Sequence, residues 1–172
     1  MSNQHWLSAS DEDLLDHYIR MYQDFIESLP DHLQRKECIS GLNRLNRIDY
    51  WSSKDLALNV KPGDICYFEY GHAFLNEAGY QHFGLVMSLF NQKAFVIPMT
   101  SNQNAIRKAT QGKHQNHLYY IGQLKGLDKR SVLFLNDCKF INTCRIISVN
   151  AHLDVETDMF EEIQTLLKRI IF

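Results

Sequence analysis

Apolar positions recur with two different periods along this chain, and the change falls near residue 60. Between Ser10 and Pro30, the residues Leu15, Tyr18, Tyr22, Phe25 and Leu29 are spaced by three and four, which places them on one face of a helix. Ser10 followed by Asp11-Glu12-Asp13 is an N-cap with carboxylates in the first turn. Pro30 ends this helix, and Asp31 can cap a second one with a narrower stripe at Leu42, Leu45 and Ile48. Residues 1–50 therefore read as a helical hairpin. Two short helices cannot bury such a face alone, so the aromatic stripe is expected to pack on the rest of the chain or on a partner.

Residues 51–60 read as a connector. From residue 61 onward, short apolar runs alternate with turn residues, at about 64–70, 82–90, 93–99, 117–123, 131–136 and 138–148. Regular spacing and short turns predict a small, strongly curved antiparallel sheet or SH3-like barrel. Residues 101–116 hold few large apolar side chains and are expected to form a long mobile loop. Residues 155–172 return to a helical period: Phe160, Ile163, Leu166, Leu167 and Ile170 face a core, with acids early and bases late. The expected fold class is β-rich α+β, with a barrel domain over 61–172, a C-terminal helix and the added N-terminal hairpin.

Composition narrows the class without naming a function. The chain has 172 residues, 45% hydrophobic and 22% charged, an ordinary globular balance. No apolar run approaches the ~18 residues of a membrane span, and the N-terminus lacks the pattern of a secretory signal. A cytoplasmic location is expected. Cys38, Cys66, Cys138 and Cys144 form no CxxC pair and are expected to be small buried hydrophobes in a reducing compartment. Their spacing with histidine fits no zinc site, and neither a metal nor a cofactor is expected.

Charge is uneven. Residues 1–60 carry 6 Lys/Arg and 10 Asp/Glu, a net of −4, whereas 61–172 carry 12 and 10, a net of +2. Within 102–130 there are 6 basic residues against Asp128 alone, a local +5. A basic segment beside a chemically competent strand end suits a polyanion; surface loops also collect lysines for solubility alone. Lys108, Lys113 and Lys129 are the candidates for phosphate contact. Tyr67, Phe68, Tyr70, Tyr119 and Tyr120 can stack unpaired bases or fill the core.

The chemistry concentrates between Lys61 and Ser101. His82 opens one predicted strand, and Thr100-Ser101 close the next, across the short turn Asn91-Gln92-Lys93. Two strand ends thus bring an imidazole and a pair of hydroxyls together. An imidazole titrates near neutrality and suits proton transfer, while hydroxyls can donate to a phosphate. His82 and Thr100 are the catalytic candidates, with Glu77 and Ser101 in support. Each has a plainer reading: His82 as a half-buried strand histidine, Glu77 as a surface carboxylate. Asp137 and Lys139 flank Cys138 and can share one sheet face, where they can pair with each other.

The ordered set Gly63-Asp64-Ile65, a loop carrying Glu77, a strand with a polar start, and Pro98-Met99-Thr100-Ser101 resembles the MazF/PemK toxins. Ser131–Asp137, the segment to Arg145, and His152-Leu153-Asp154 before the last helix extend the resemblance over about two thirds of the chain. It implies a MazF-like curved barrel and a metal-independent endoribonuclease acting on single-stranded RNA, with Asp137 and Lys139 where family members carry polar RNA-contacting side chains. It also implies a two-fold dimer and inhibition by a partner antitoxin. The family's catalytic Thr falls on Thr100, and its catalytic Arg falls on His82. That exchange leaves two readings open: a working acid–base catalyst, or a catalytically silent MazF-like barrel that binds RNA or a protein partner. The resemblance does not cover the hairpin, which is either a structural addition or an acidic cover for the basic surface.

Overall fold

A computed structural model describes residues 6, 8–111 and 117–172. The chain divides into two compact units, residues 1–39 and 40–172. Helix α1 (Asp11–Ser28) lies in the first, and helix α2 (Asp31–Arg47) begins there and ends in the second. Ser10 caps α1 by accepting the Asp13 N–H. The apolar stripe of α1 is real in period, yet no residue of α1 is buried. Tyr22 donates to Glu37 at 2.9 Å, and this tie joins the two helices within the first unit.

The second unit is built on seven antiparallel strands: β1 (Asp64–Glu69), β2 (Gln81–Phe90), β3 (Lys93–Thr100), β4 (Leu118–Gly122), β5 (Ser131–Phe134), β6 (Lys139–Asn142) and β7 (Ile146–His152). Their order is β4-β5-β3-β2-β1-β7, with β6 pairing the first half of β3 and β5 its end. The β-rich α+β architecture is the expected one. Closure is not: β4 and β7 are the two edges of an open sheet, and no pairing joins them among the described residues. Bulges in the β2–β3 and β1–β7 ladders supply local bending instead.

Period-2 alternation sorts the strands onto two cores. Ile65, Leu85, Met87, Ile97, Met99 and Leu133 point one way and meet Phe160, Ile163 and Leu167 of the last helix, α4 (Asp158–Ile171). Cys66, Phe68, Tyr70, Val86, Val96 and Ile146 point the other way. Burial on both faces is why β1 reads as a nearly continuous apolar run rather than an alternating one.

Several local expectations change. Residues 103–111, inside the expected mobile loop, form helix α3 (Gln103–Gln111), which packs on β4 and β5. Its start is an Asn cap: Asn102 Oδ1 accepts the Asn104 and Ala105 N–H groups at 2.8 and 3.3 Å. The sixth predicted run is two strands, because a 3₁₀ turn at Thr143–Arg145 breaks it. Ile170 is exposed at 38%, one turn beyond the last buried position of α4, Leu167. Cys38 is exposed rather than buried, since it lies on a hairpin with almost no interior; Cys66 is buried, and burial pushes its thiol up to about 12.

Candidate active site

The joint end of β2 and β3 forms one wall of a cavity of about 530 Å³. Gly84 pairs with Pro98 in this hairpin. His82 lies two residues before Gly84 and Thr100 two residues after Pro98, so alternation sends both to one face at the same end. Both line the cavity. The register starts from a two-residue turn in which Asn91 and Gln92 hold φ of 47° and 62°, the mirror-image geometry that matches strand twist, and a bulge between Val86 and Ser88 shifts it by one residue before Gly84 meets Pro98.

The opposite parts of the wall come from elsewhere in the chain. His117, immediately before β4, contributes a second imidazole, and Asn136 and Asp137 come from the 3₁₀ turn after β5. Asn76, Glu77 and Ala78 come from the 70–80 loop between β1 and β2. That loop has a closed neck: the Tyr70 N–H donates to the Tyr80 carbonyl at 2.7 Å, and the Tyr80 N–H donates to the Gly71 carbonyl at 2.6 Å. Its far side is pinned by Asp137, whose Oδ2 accepts the Ala78 N–H at 2.6 Å. Asp137 Oδ1 pairs with Lys139 Nζ at 2.8 Å.

Thr100 Oγ1 accepts the Asn102 N–H at 3.2 Å, which leaves its own proton to donate. Glu77 accepts the Phe74 N–H at 3.4 Å, within its own loop. Beneath the wall, Tyr70 is buried, and Lys139 Nζ lies 5.9 Å from its ring centroid. Burial, with Asp137 and Cys66 nearby, drives the Tyr70 phenol far above its ordinary range, so it stays protonated.

His82, Thr100, Glu77 and Asp137 thus share one cavity, as their positions along the sequence suggested. Ser101 follows Thr100 into the link to α3 and is not part of the wall. Lys139 reaches the site through its ion pair with Asp137. Lys108 lies in the last turn of α3, and Lys129 is exposed on the β4–β5 link; neither lines the cavity. Lys113 lies outside the described residues. Among the aromatics proposed for stacking, Phe68 and Tyr70 are core residues, and the Tyr119 hydroxyl donates to Glu162 at 2.7 Å. His117 and Asn136 carried no sequence signal beyond residue type, because only the β3–β5–β4 pairing brings them to β2. Among the described residues, no group of three or more His, Cys, Asp or Glu side chains gathers as a metal site.

No protein-family model matches the chain, and no curated protein matches it in sequence. Solved structures do match. A MazF from Deinococcus radiodurans superposes with a TM-score of 0.51 at 15% identity, covering 66% of this chain and 97% of that one. The chain contains the MazF fold. A MazE–MazF complex from the same organism gives a TM-score of 0.46 at 15% identity, covering 65% of this chain and 95% of that one. An endoribonuclease in complex with its cognate antitoxin from a mycobacterial species gives 0.48 at 8% identity, covering 66% and 95%. About a third of the chain lies outside the MazF fold in each superposition. No helix among the described residues is long and apolar enough to cross a membrane.

Proposed function

We propose that this chain is a toxin-type endoribonuclease that cleaves single-stranded RNA without a metal. The observation that supports this most is the shared cavity, in which two imidazoles, His82 and His117, stand with the Thr100 hydroxyl. Cleavage by an internal 2′-oxygen needs three things: a base for the 2′-hydroxyl, donors for the charge growing on phosphate, and an acid for the departing 5′-oxygen. His82 takes the 2′-proton as the oxygen–phosphorus bond forms. Thr100 donates its O–H to a non-bridging oxygen. His117, as imidazolium, returns a proton to the 5′-oxygen as its bond to phosphorus breaks. The products are a 2′,3′-cyclic phosphate and a 5′-hydroxyl. The protein works as a cytoplasmic homodimer held in check by a partner antitoxin.

The test is purified protein on a mixed pool of single-stranded RNA in EDTA. Cleavage with cyclic-phosphate ends is expected. His82→Ala abolishes it with the fold intact by circular dichroism, and Thr100→Ala lowers it roughly 10- to 100-fold, about 1.4–2.7 kcal/mol of transition-state stabilisation. An uncut pool removes the enzyme reading and favours the second one, a silent barrel that binds RNA or protein. His82 at the position of the family's Arg is the feature behind that alternative, and His82→Arg then asks whether the scaffold is otherwise competent. A monomer by light scattering at tens of micromolar contradicts the dimer.

A further inference from the structure

A second cavity, of about 320 Å³, lies at the C-terminal end of α2, within the 40–172 unit. Three guanidinium groups line it: Arg44 and Arg47, one helical turn apart, and Arg145 from the turn before β7. Arg47 Nη1 donates to the Cys144 and Ile146 carbonyls at 3.0 and 2.9 Å, and Arg145 Nη1 donates to the Tyr70 carbonyl at 2.7 Å. Neutral carbonyls hold these side chains in place without cancelling their charge, and each guanidinium keeps further N–H donors. The carboxylate in the wall, Glu69, is buried and occupied by neutral donors: Ser40 at 2.6 Å, Asn43 at 2.9 Å, the Gly71 N–H at 3.0 Å, and Gln81. Among the described residues, no ion pair joins any of the three arginines to a carboxylate.

Two held guanidinium groups and the exposed one of Arg44 therefore line a cavity with a single buried carboxylate, which is ion-paired to none of them among the described residues. Favourable placement of bases near a helix C-terminus accounts for Arg44 and Arg47. It does not account for Arg145, which arrives from nearly a hundred residues away. Tyr50 lines the same cavity and is 40% exposed; Trp51 beside it is 73% exposed. Guanidinium forks match phosphate oxygens two at a time, and exposed aromatic rings accept a base without regard to its identity. The 70–80 loop contributes to both cavities, Gly71 to this one and Ala78 to the cleavage cavity.

We propose that this arginine cavity is an anchoring site for single-stranded RNA, holding a phosphodiester on Arg44, Arg47 and Arg145 and stacking the adjacent base on Tyr50. The inference rests on the RNA reading above but uses none of its catalytic residues. Arg44 gives the cleanest test, since it makes no hydrogen bond among the described residues and its loss disturbs no backbone contact. The probe is a short 2′-O-methyl RNA, which cannot be cleaved by its own 2′-oxygen, followed by fluorescence anisotropy over a range of salt with the full-length chain.

Arg44→Gln is expected to weaken binding roughly 3- to 10-fold and to reduce the slope of log affinity against log salt by about 0.7. Tyr50→Ala is expected to erase the preference for this strand over an abasic one of the same length. Unchanged affinity and slope in Arg44→Gln overturns the site. If ordinary RNA stays uncut while Arg44→Gln still loses affinity, the endoribonuclease reading fails and the anchoring site stands. If RNA is cut and the slope is unchanged, the site fails and the reading of the first cavity stands.

Discussion

Glu69 and Tyr70 are neighbours in sequence and opposite cases in hydrogen bonding. Burial alone raises the Glu69 carboxyl, but hydrogen bonds from Ser40, Gln81, Asn43 and the Gly71 N–H outweigh it and hold the group below its ordinary value. Its stabilisation is present above the unfolded value of about 4.3 and is lost as pH falls through the lower folded value. Glu69→Gln is therefore expected to lower the melting temperature at neutral pH, with the gap to wild type closing in acid below about pH 4. Glu69→Ala strands four donors and is expected to cost at least ~3 kcal/mol in urea unfolding. The Tyr70 hydroxyl, in contrast, is buried with no hydrogen-bond partner among the described residues. A Cβ on Gly84 would lie 2.3 Å from that oxygen and 2.5 Å from Val96 Cγ1. Tyr70→Phe is expected to stabilise by up to ~1 kcal/mol, and Gly84→Ala to destabilise by ~1–3 kcal/mol, less so in the Tyr70→Phe background. A Gly84→Ala cost that is the same in both backgrounds contradicts the hydroxyl as the clashing atom.

At the scale of elements, the Gly63-Asp64 pair that helped carry the family resemblance is a structural device. Gly63 holds φ of 89°, and a Cβ there would meet the Leu153 carbonyl at 2.2 Å. Asp64 accepts the Lys61 N–H at 2.8 Å and pairs with His152 at 2.8 Å, tying the start of β1 to the end of β7. His152-Leu153 therefore belongs to the same device as Gly63-Asp64, although some ninety residues separate them. Asp137 clasps the 70–80 loop at Ala78 from a distant part of the chain. Asp137→Ala is expected to speed amide exchange at Ala78 about tenfold, the equivalent of one hydrogen bond, whereas Asp137→Asn keeps an acceptor and most of the protection. Equal exchange in the two variants contradicts the clasp.

For the whole molecule, α2 matters more to the sheet unit than its place in a hairpin suggests. Ser40 and Asn43 serve Glu69, and Arg47 serves two carbonyls at the start of β7. Removing residues 1–30 leaves these ties in place, and removing 1–50 severs all of them. The longer deletion is expected to melt several degrees below the shorter one by calorimetry. Matching melting temperatures mean that α2 contributes nothing to the second unit.

Period and turn chemistry by themselves determined most of the elements. Ser10 and Pro30 bound α1 because capping and ring closure are local, and Asn91-Gln92 turns β2 into β3 because two residues suffice for a mirror-image turn. The turn alone would set Phe83 opposite Thr100; the bulge between Val86 and Ser88, which no local pattern announces, shifts the register by one residue and brings His82 there instead. Helix α3 was not legible, since its apolar face is small and its packing on β4 and β5 supplies what composition does not. Closure of the sheet was not legible either, because it depends on whether two edges meet, which no local pattern encodes. His117, Asp137 bound to Ala78, and Arg145 beside Arg44 and Arg47 are juxtapositions across tens of residues. Only strand order and register decide them, because side chains far apart in sequence have no physical signal for each other until the sheet has formed.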